Sequence, residues 1–325
     1  MQNEASFKRG PIALALALAI VLVVGVLGGA KLVYEQVAHR PVAMTSATSA
    51  NSPEAESPEC ASLLDKLPNK VLGHQRAELA DPAPAGAAAW QSDSTHRVTL
   101  RCGVNLPLQY TQLSELSRVD ETSWLEIRDT TPGSTFRTWY AVDRFPIVAL
   151  TADDAGLGKA ASPVAELSTA VASLQRKETQ PHPLPLQSLR EDANPHKNAH
   201  SSRCTELISD LPEHIGESPQ YSRRSVSGLP DGSAVWSVQG YEPIMVRCGV
   251  AFPSAYEAGA QIQQIDSVAW FEDTTLGNGT TASTWYALGR EIVVAVSVPQ
   301  NSGNAALVEM TKIIEKHTAE SPVVR

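Results

Sequence analysis

The sequence has few cysteines, a deficit of basic residues and none of the common catalytic spacings. Its 26 Lys and Arg stand against 35 Asp and Glu, a formal net charge of −9. Residues 1–40 hold Lys8, Arg9, Lys31 and Arg40 against Glu4 and Glu35, so the remainder carries about −11. No stretch clusters Lys and Arg or interleaves them with aromatics. That excludes nucleic acid as a partner, because phosphate contacts need such clusters. His-Glu-x-x-His, Gly-x-Ser-x-Gly and Ser-x-x-Lys are missing, so no catalytic residue is assigned and no cofactor is expected. There are only 4 cysteines, with no Cys-x-x-Cys and no His at ligand spacing from a Cys, which argues against zinc. His182, His196 and His200 are irregularly spaced in a Pro-rich segment, and no metal site is assigned there. Gly156-Leu157-Gly158 matches part of a dinucleotide loop, but the later Ser302-Gly303-Asn304 does not repeat it. Without a βαβ setting it reads as a loop leading into a helix, and Asp153-Asp154 reads as loop surface.

One long hydrophobic run is present. Pro11 to Ala30 has no charged residue, and a helix of that length spans roughly 30 Å, the thickness of a bilayer core. Gly28 and Ala30 would suit signal-peptide cleavage after Ala30. The run is longer than a usual signal core, so we read an anchor. Leu27-Gly28-Gly29-Ala30 looks like a lipoprotein box, but Ala30 occupies the position of the lipidated Cys, which excludes lipidation. Basic residues flank both sides, so charge alone does not orient the helix.

The remainder of the chain contains its own copy. Arg101-Cys102-Gly103-Val104, the segment around Trp124 and Thr138-Trp139-Tyr140-Ala141 recur 146 residues later at Arg247–Val250, Trp270 and Thr284–Ala287. From Trp90 to Leu150 no gap is needed, and 19 of the 61 positions are identical in the copy. Cys60 to Pro68 matches Cys204 to Pro212 at an offset of 144, so two residues were gained or lost in a Pro/Gly-rich loop before the Trp. Repeats found this way outrank local signals in setting the architecture. Each copy owns two cysteines, Cys60 with Cys102 and Cys204 with Cys248. Three pairings exist on paper, and the repeat selects the one within each copy. Each loop of about 43 residues would stabilise the fold by about 4 kcal/mol. Disulfides need an oxidising compartment, so the body is expected outside a plasma membrane that the helix crosses once, with the N-terminus cytoplasmic.

The expected order is a cytoplasmic N-terminus 1–10, a transmembrane helix 11–30 and a juxtamembrane stalk 31–59. Repeat domain 1 (60–176), a Pro-broken linker (177–203), repeat domain 2 (204–318) and a tail (319–325) follow. The stalk, rich in Ser, Thr, Ala and Pro, is expected to be extended and mobile. The fold class is α+β: two tandem homologous small domains, each a mainly antiparallel sheet with packed helices and one disulfide, plus one transmembrane helix. In each copy a helix begins at the first Cys and a strand carries the second. Pro107 and Pro253 are placed to open a helix bearing Tyr110, Leu113 and Leu116. Strands follow at Trp124, Trp139 and Ile147. Ser162 is the expected cap of a last helix with Leu167, Ala170, Val171 and Leu174 on one face, answered by Leu307, Met310 and Ile314. The paired Trp residues are expected in the cores.

Taken together, Cys-x-x-Leu, Leu-Pro, Arg-Cys-Gly-Val, Val/Ile-Asp, Trp and Thr-Trp-Tyr-Ala resemble an actinobacterial family, domain-of-unknown-function family 3515. The resemblance covers Cys60–Leu174 and Cys204–His317. It implies a small secreted lipoprotein or membrane-anchored protein of the cell envelope. The domain stands here twice, and a membrane helix replaces the lipid. The resemblance implies a compartment and a domain, and no reaction.

Four charged positions recur in both copies: Arg101 and Arg247, Asp120 and Asp266, Glu126 and Glu272, Arg144 and Arg290. They are candidates for a binding site or for structural ion pairs. The leading function is a non-catalytic module for an envelope protein, glycan or lipid partner, in which duplication would supply avidity. The alternatives are an envelope hydrolase using the repeated carboxylates, and a structural spacer.

Overall fold

The computed structural model describes residues 9–38, 40–44, 53–257, 259–276 and 280–322. Most of the expected N-terminal segment, residues 45–52 of the stalk and the last three residues of the tail lie outside them.

Helix α1 (Arg9–Ala38) contains one stretch, Ala13–Lys31, long and apolar enough to cross a membrane. None of that stretch is covered by the rest of the protein. Leu14, Leu22 and Leu27 are all more than 60% exposed, and a bare apolar surface of that extent calls for a lipid environment.

The chain after α1 is tied to the first repeat almost at once. The Gln91 side-chain amide donates to the Arg40 carbonyl at 2.6 Å. The Val42 amide donates to Glu78 O, and the Ala80 amide to Val42 O. Val42 and Ala55 are buried. Residues 31–38 of the expected stalk continue α1, while the stalk around Val42 and Ala55 is docked rather than free, because Val42 bridges to Leu79 beside the sheet and Ala55 fits against Gly103. A Cβ on Gly103 would meet the Ala55 backbone at 2.3 Å.

The first repeat opens with α2 (Pro58–Lys66), capped by the Ser57 hydroxyl accepting from the Cys60 amide. Its sheet comprises β1 (Lys70–Val71), β2 (His74–Ala77), β3 (Ala87–Gln91), β4 (Arg97–Cys102), β5 (Leu116–Val119), β6 (Thr122–Arg128), β7 (Arg137–Ala141) and β9 (Val148–Ala152). The antiparallel order is β1-β2-β3-β4-β9-β7-β6-β5. The chain runs as a meander to β4, crosses to the far edge, meanders back and closes by inserting β9 between β4 and β7. A small ribbon pairs β8 (Arg144–Phe145) with β10 (Gln175–Arg176). Helices α3 (Asp154–Leu157) and α4 (Val164–Ala172) follow β9.

The second repeat follows the same path. After α5 (Ser202–Asp210), capped by Ser201, come β11 (His214–Ile215), β12 (Tyr221–Arg224), β13 (Ser233–Ser237), β14 (Ile244–Cys248), β15 (Ile262–Ile265), β16 (Val268–Asp273), β17 (Ala282–Leu288) and β18 (Val294–Pro299). Their order is β11-β12-β13-β14-β18-β17-β16-β15, and α6 (Gly303–His317) closes the unit. Cys60 is bonded to Cys102 and Cys204 to Cys248, with the same Cα–Cα distance of 5.6 Å. Each bridge ties the first helix to the central strand.

Each sheet packs one face on its helices. Trp90, Trp124 and Trp139 fill the first core, and Trp236 and Trp270 fill the second, with Trp285 packed at its edge. Each ring removes roughly 200 Å² of surface from water. Trp90 Nε1 donates to Pro68 O and Trp236 Nε1 to Pro212 O, both at 2.8 Å. Arg76 and Arg223, their cross-strand neighbours, lie over the two rings.

Three expectations are corrected. Pro107 does not open a helix: residues 107–114 form turns in which Ser114 Oγ donates to Gln109 O and accepts from the Thr111 amide. Short polar side chains that bond the local backbone compete with helix formation, and Leu113 is drawn away to pack on the second repeat. The segment after Pro253 is likewise a turn, with Phe252 and Tyr256 stacked edge-on. Ser162 is not a cap, since α4 begins after Pro163 with no side-chain cap. Asp153 is more than loop surface, for it caps the single turn of α3 by accepting from the Gly156 amide.

Candidate functional site

Several of the recurrent charged residues bond turns and helix ends. Asp120 and Asp266 are the first of two residues in the β5–β6 and β15–β16 turns, with φ of 51° and 49°. Asp is one of the few side chains tolerated there. In the first repeat the Asp120 carboxylate accepts from Ser168 Oγ on α4. In the second the roles are exchanged: Glu315 on α6 accepts from the amide and hydroxyl of Ser267, both at 2.6 Å. Arg144 donates to Thr122 Oγ1, Glu121 O and Leu174 O. Arg290 donates to Thr318 and to Glu315 O. Both guanidiniums thus clamp the hairpin region to the carbonyl end of the last helix, where a cation is favoured.

Glu126 accepts from Arg128 at 2.8 Å, and Glu272 is half-buried on β16 opposite Trp285. By strand rise Glu126 lies roughly 13 Å beyond the turn that holds Asp120, too far for a paired-carboxylate hydrolase. Arg101 sits on β4 near Tyr140. Arg247, its counterpart on β14, donates to the carbonyls of Leu186, Gln187 and Leu189 and pairs with Glu191 at 3.6 Å. It thereby holds the linker on the sheet face away from the helices. There Leu184, Leu186 and Leu189 join Met245, Phe271 and Tyr286 in a second apolar cluster. Burial, reinforced by the charge of Asp273, pushes the Tyr286 hydroxyl up to about 12.

The docked linker brings the repeats together. The Arg128 amide donates to Gly240 O at 2.8 Å, and its guanidinium lies over the Tyr241 ring. The His182 amide donates to Tyr110 O at 2.7 Å beside a parallel bridge to Thr111. Between the first repeat, the linker and β17–β18 lies a cavity of about 280 Å³. Its walls include Leu108 and Gln109, His182 to Leu186, and Glu242, Leu276 and Thr284.

Among the described residues, Glu242 is the one acidic side chain in that lining, and no Lys or Arg joins it. It is only 5% exposed. Its Oε1 accepts from Gln109 Nε2 at 2.9 Å and from the Thr281 amide at 3.0 Å. Its Oε2 is buried and has no hydrogen-bond partner among the described residues, and neither has Nε2 of His182. Leaving such groups unsatisfied costs about 1–3 kcal/mol each, so the arrangement is stable only because the surrounding packing fixes it. Among the described residues no group of His, Cys, Asp and Glu could hold a metal ion.

None of Gln109, His182 and Glu242 stood out as a ligand-binding residue in the sequence. Glu242 has His96 at its repeat-equivalent position, so recurrence could not mark it. The available signal was an acidic residue set directly before the apolar run Pro243-Ile244-Met245-Val246.

A family model described as "Protein of unknown function (DUF3515)" matches the chain twice, over residues 16–181 and 174–323. No curated protein and no solved structure matches it. The two matches cover nearly the whole chain, which belongs to the DUF3515 family and carries its domain in tandem behind an apolar N-terminal helix.

Proposed function

We propose that this chain is a membrane-anchored, extracytoplasmic binding module of the cell envelope, and that its ligand site is the cavity between its repeats. The anchor rests on α1, whose apolar stretch finds no cover in the protein. The extracytoplasmic placement rests on the two disulfides, which persist in oxidising compartments. The retained anchor rests on the length of the apolar run.

The observation that carries the binding reading is the buried, half-satisfied carboxylate of Glu242 in the wall of a cavity that both repeats build. Mixed apolar and polar walls around a few fixed polar groups are the usual make-up of a ligand pocket. A non-catalytic role fits better than hydrolysis, since the recurrent carboxylates support turns and helix ends and do not converge. The duplication then supplies two halves of one site rather than two sites with avidity.

The test is native mass spectrometry of the full chain, extracted from its membrane in non-ionic detergent. Wild type is compared with Ala282→Leu, which adds bulk to the cavity wall on β17. A small molecule retained by wild type and absent from the variant is the expected result. Identical spectra for the two proteins would remove the cavity as the ligand site.

A further inference from the structure

The chemistry of the cavity selects a class of ligand, an inference that rests on the binding reading above. We infer that it takes a small organic cation: a primary ammonium, or a similar N–H-bearing head, on a short apolar body. The head is assigned to Glu242. Three observations carry this.

The first is charge. Among the described residues, Glu242 is the only formally charged side chain in the lining apart from the ionisable His182. An anionic ligand would meet a carboxylate with no guanidinium or ammonium to offset it. A cationic head would meet its counter-charge at a carboxylate that is itself only 5% exposed, where the pairing is stronger than in solvent.

The second is valence. Both protein donors to Glu242, Gln109 Nε2 and the Thr281 amide, engage the same oxygen. They fix the carboxylate in position and leave the lone pairs of Oε2 without a donor among the described residues. A carboxylate held in this way is pre-organised for a charge-assisted bond, since no further ordering of the side chain is needed.

The third is shape. Leu108, Pro183, Leu184, Leu186, Pro243 and Leu276 supply an apolar lining, and about 280 Å³ admits on the order of ten non-hydrogen atoms. Those walls suit a short hydrocarbon portion. A phospholipid head is disfavoured although it can carry an ammonium, because its phosphate would enter without a cation to receive it. The source is therefore a free small amine.

The experiment titrates the full chain in non-ionic detergent with four probes: n-butylammonium, n-butanol, n-butyrate and phosphoethanolamine. Binding is followed by calorimetry, with wild type beside Glu242→Gln and Ala282→Leu. Glu242→Gln keeps an oxygen for Gln109 and Thr281, and Ala282→Leu adds bulk to the cavity wall while leaving the carboxylate in the sequence. Butylammonium should bind wild type at least roughly tenfold more tightly than the other three probes, and Glu242→Gln should lose about that factor. Ala282→Leu should lose butylammonium altogether, which keeps the test decisive if Glu242→Gln fails to fold. Equal binding of butanol and butylammonium, abolished by Ala282→Leu, would overturn the cation assignment and keep the cavity as a site. Preference for butyrate or phosphoethanolamine would also overturn it. No binding of any probe to wild type would count against both the cation and the binding reading.

Discussion

The side-chain amide of Gln109, in the first repeat, donates to the carboxylate of Glu242, in the second, at 2.9 Å. The donor lies in the crossover after β4, the acceptor in the β13–β14 turn, and together they close one side of the cavity. If the bond couples the repeats, Gln109→Ala and Glu242→Ala should not be additive. Chemical unfolding of the two single variants and the double variant should give a coupling energy of about 0.5–3 kcal/mol. Additivity would show that the contact carries no energy.

Gly240 approaches Arg128 as closely as any pair across the repeats. Its φ is 84°, and a Cβ there would meet the Arg128 side chain at 2.9 Å. Gly240→Ala combines backbone strain with that contact. It should destabilise the full chain by about 1–2 kcal/mol in thermal unfolding. An unchanged midpoint would show that this junction is looser than described.

A buried indole distinguishes the two cores. Trp270 Nε1 donates to Thr311 Oγ1 at 3.0 Å, whereas Trp124 Nε1 is buried without a partner. On α4 the position matching Thr311 is Val171, which has no hydroxyl. Thr311→Val should cost about 1–2 kcal/mol, and Val171→Thr should stabilise by up to about 1 kcal/mol. Denaturant titration measures both, and opposite signs are the expected outcome.

Acid should loosen the second repeat through Glu315. Its hydrogen bonds from the Ser267 hydroxyl and amide hold its carboxyl below the ordinary value of 4.5. A carboxyl lowered in the folded state adds stability above its unfolded pKa and loses it as pH falls through the folded one. Unfolding midpoints should therefore drop as pH falls below about 4.5. Glu315→Gln should flatten that drop while leaving Trp270 buried, as its fluorescence would report.

Much of the architecture was legible because it was written twice. Recurrence of Arg101-Cys102-Gly103-Val104 at Arg247–Val250 set the two units, and aromatic and β-branched content placed the strand around Trp139. The apolar run was legible from length alone. The turn after Pro107 was not, because Ser114 and Thr111 settle it by side-chain bonds that no helical periodicity records. Nor was the cavity, whose Gln109 and Glu242 do not recur and which forms only when Leu184 and Leu186 dock across the second sheet. The recurrent charges were legible as candidates for a binding site or for structural ion pairs; Asp120 and Asp266 take positive φ, and Arg144 and Arg290 donate to helix-end carbonyls. Shared packing preserves such residues as readily as shared function does.

The central claim is that two copies of one domain build a single ligand site at their junction. The stoichiometry of n-butylammonium binding to the full chain, read from the calorimetric titration, tests it most directly. One cation per chain, lost in Ala282→Leu, is the predicted result. Two equivalent cations per chain, or one that Ala282→Leu leaves bound, would contradict it.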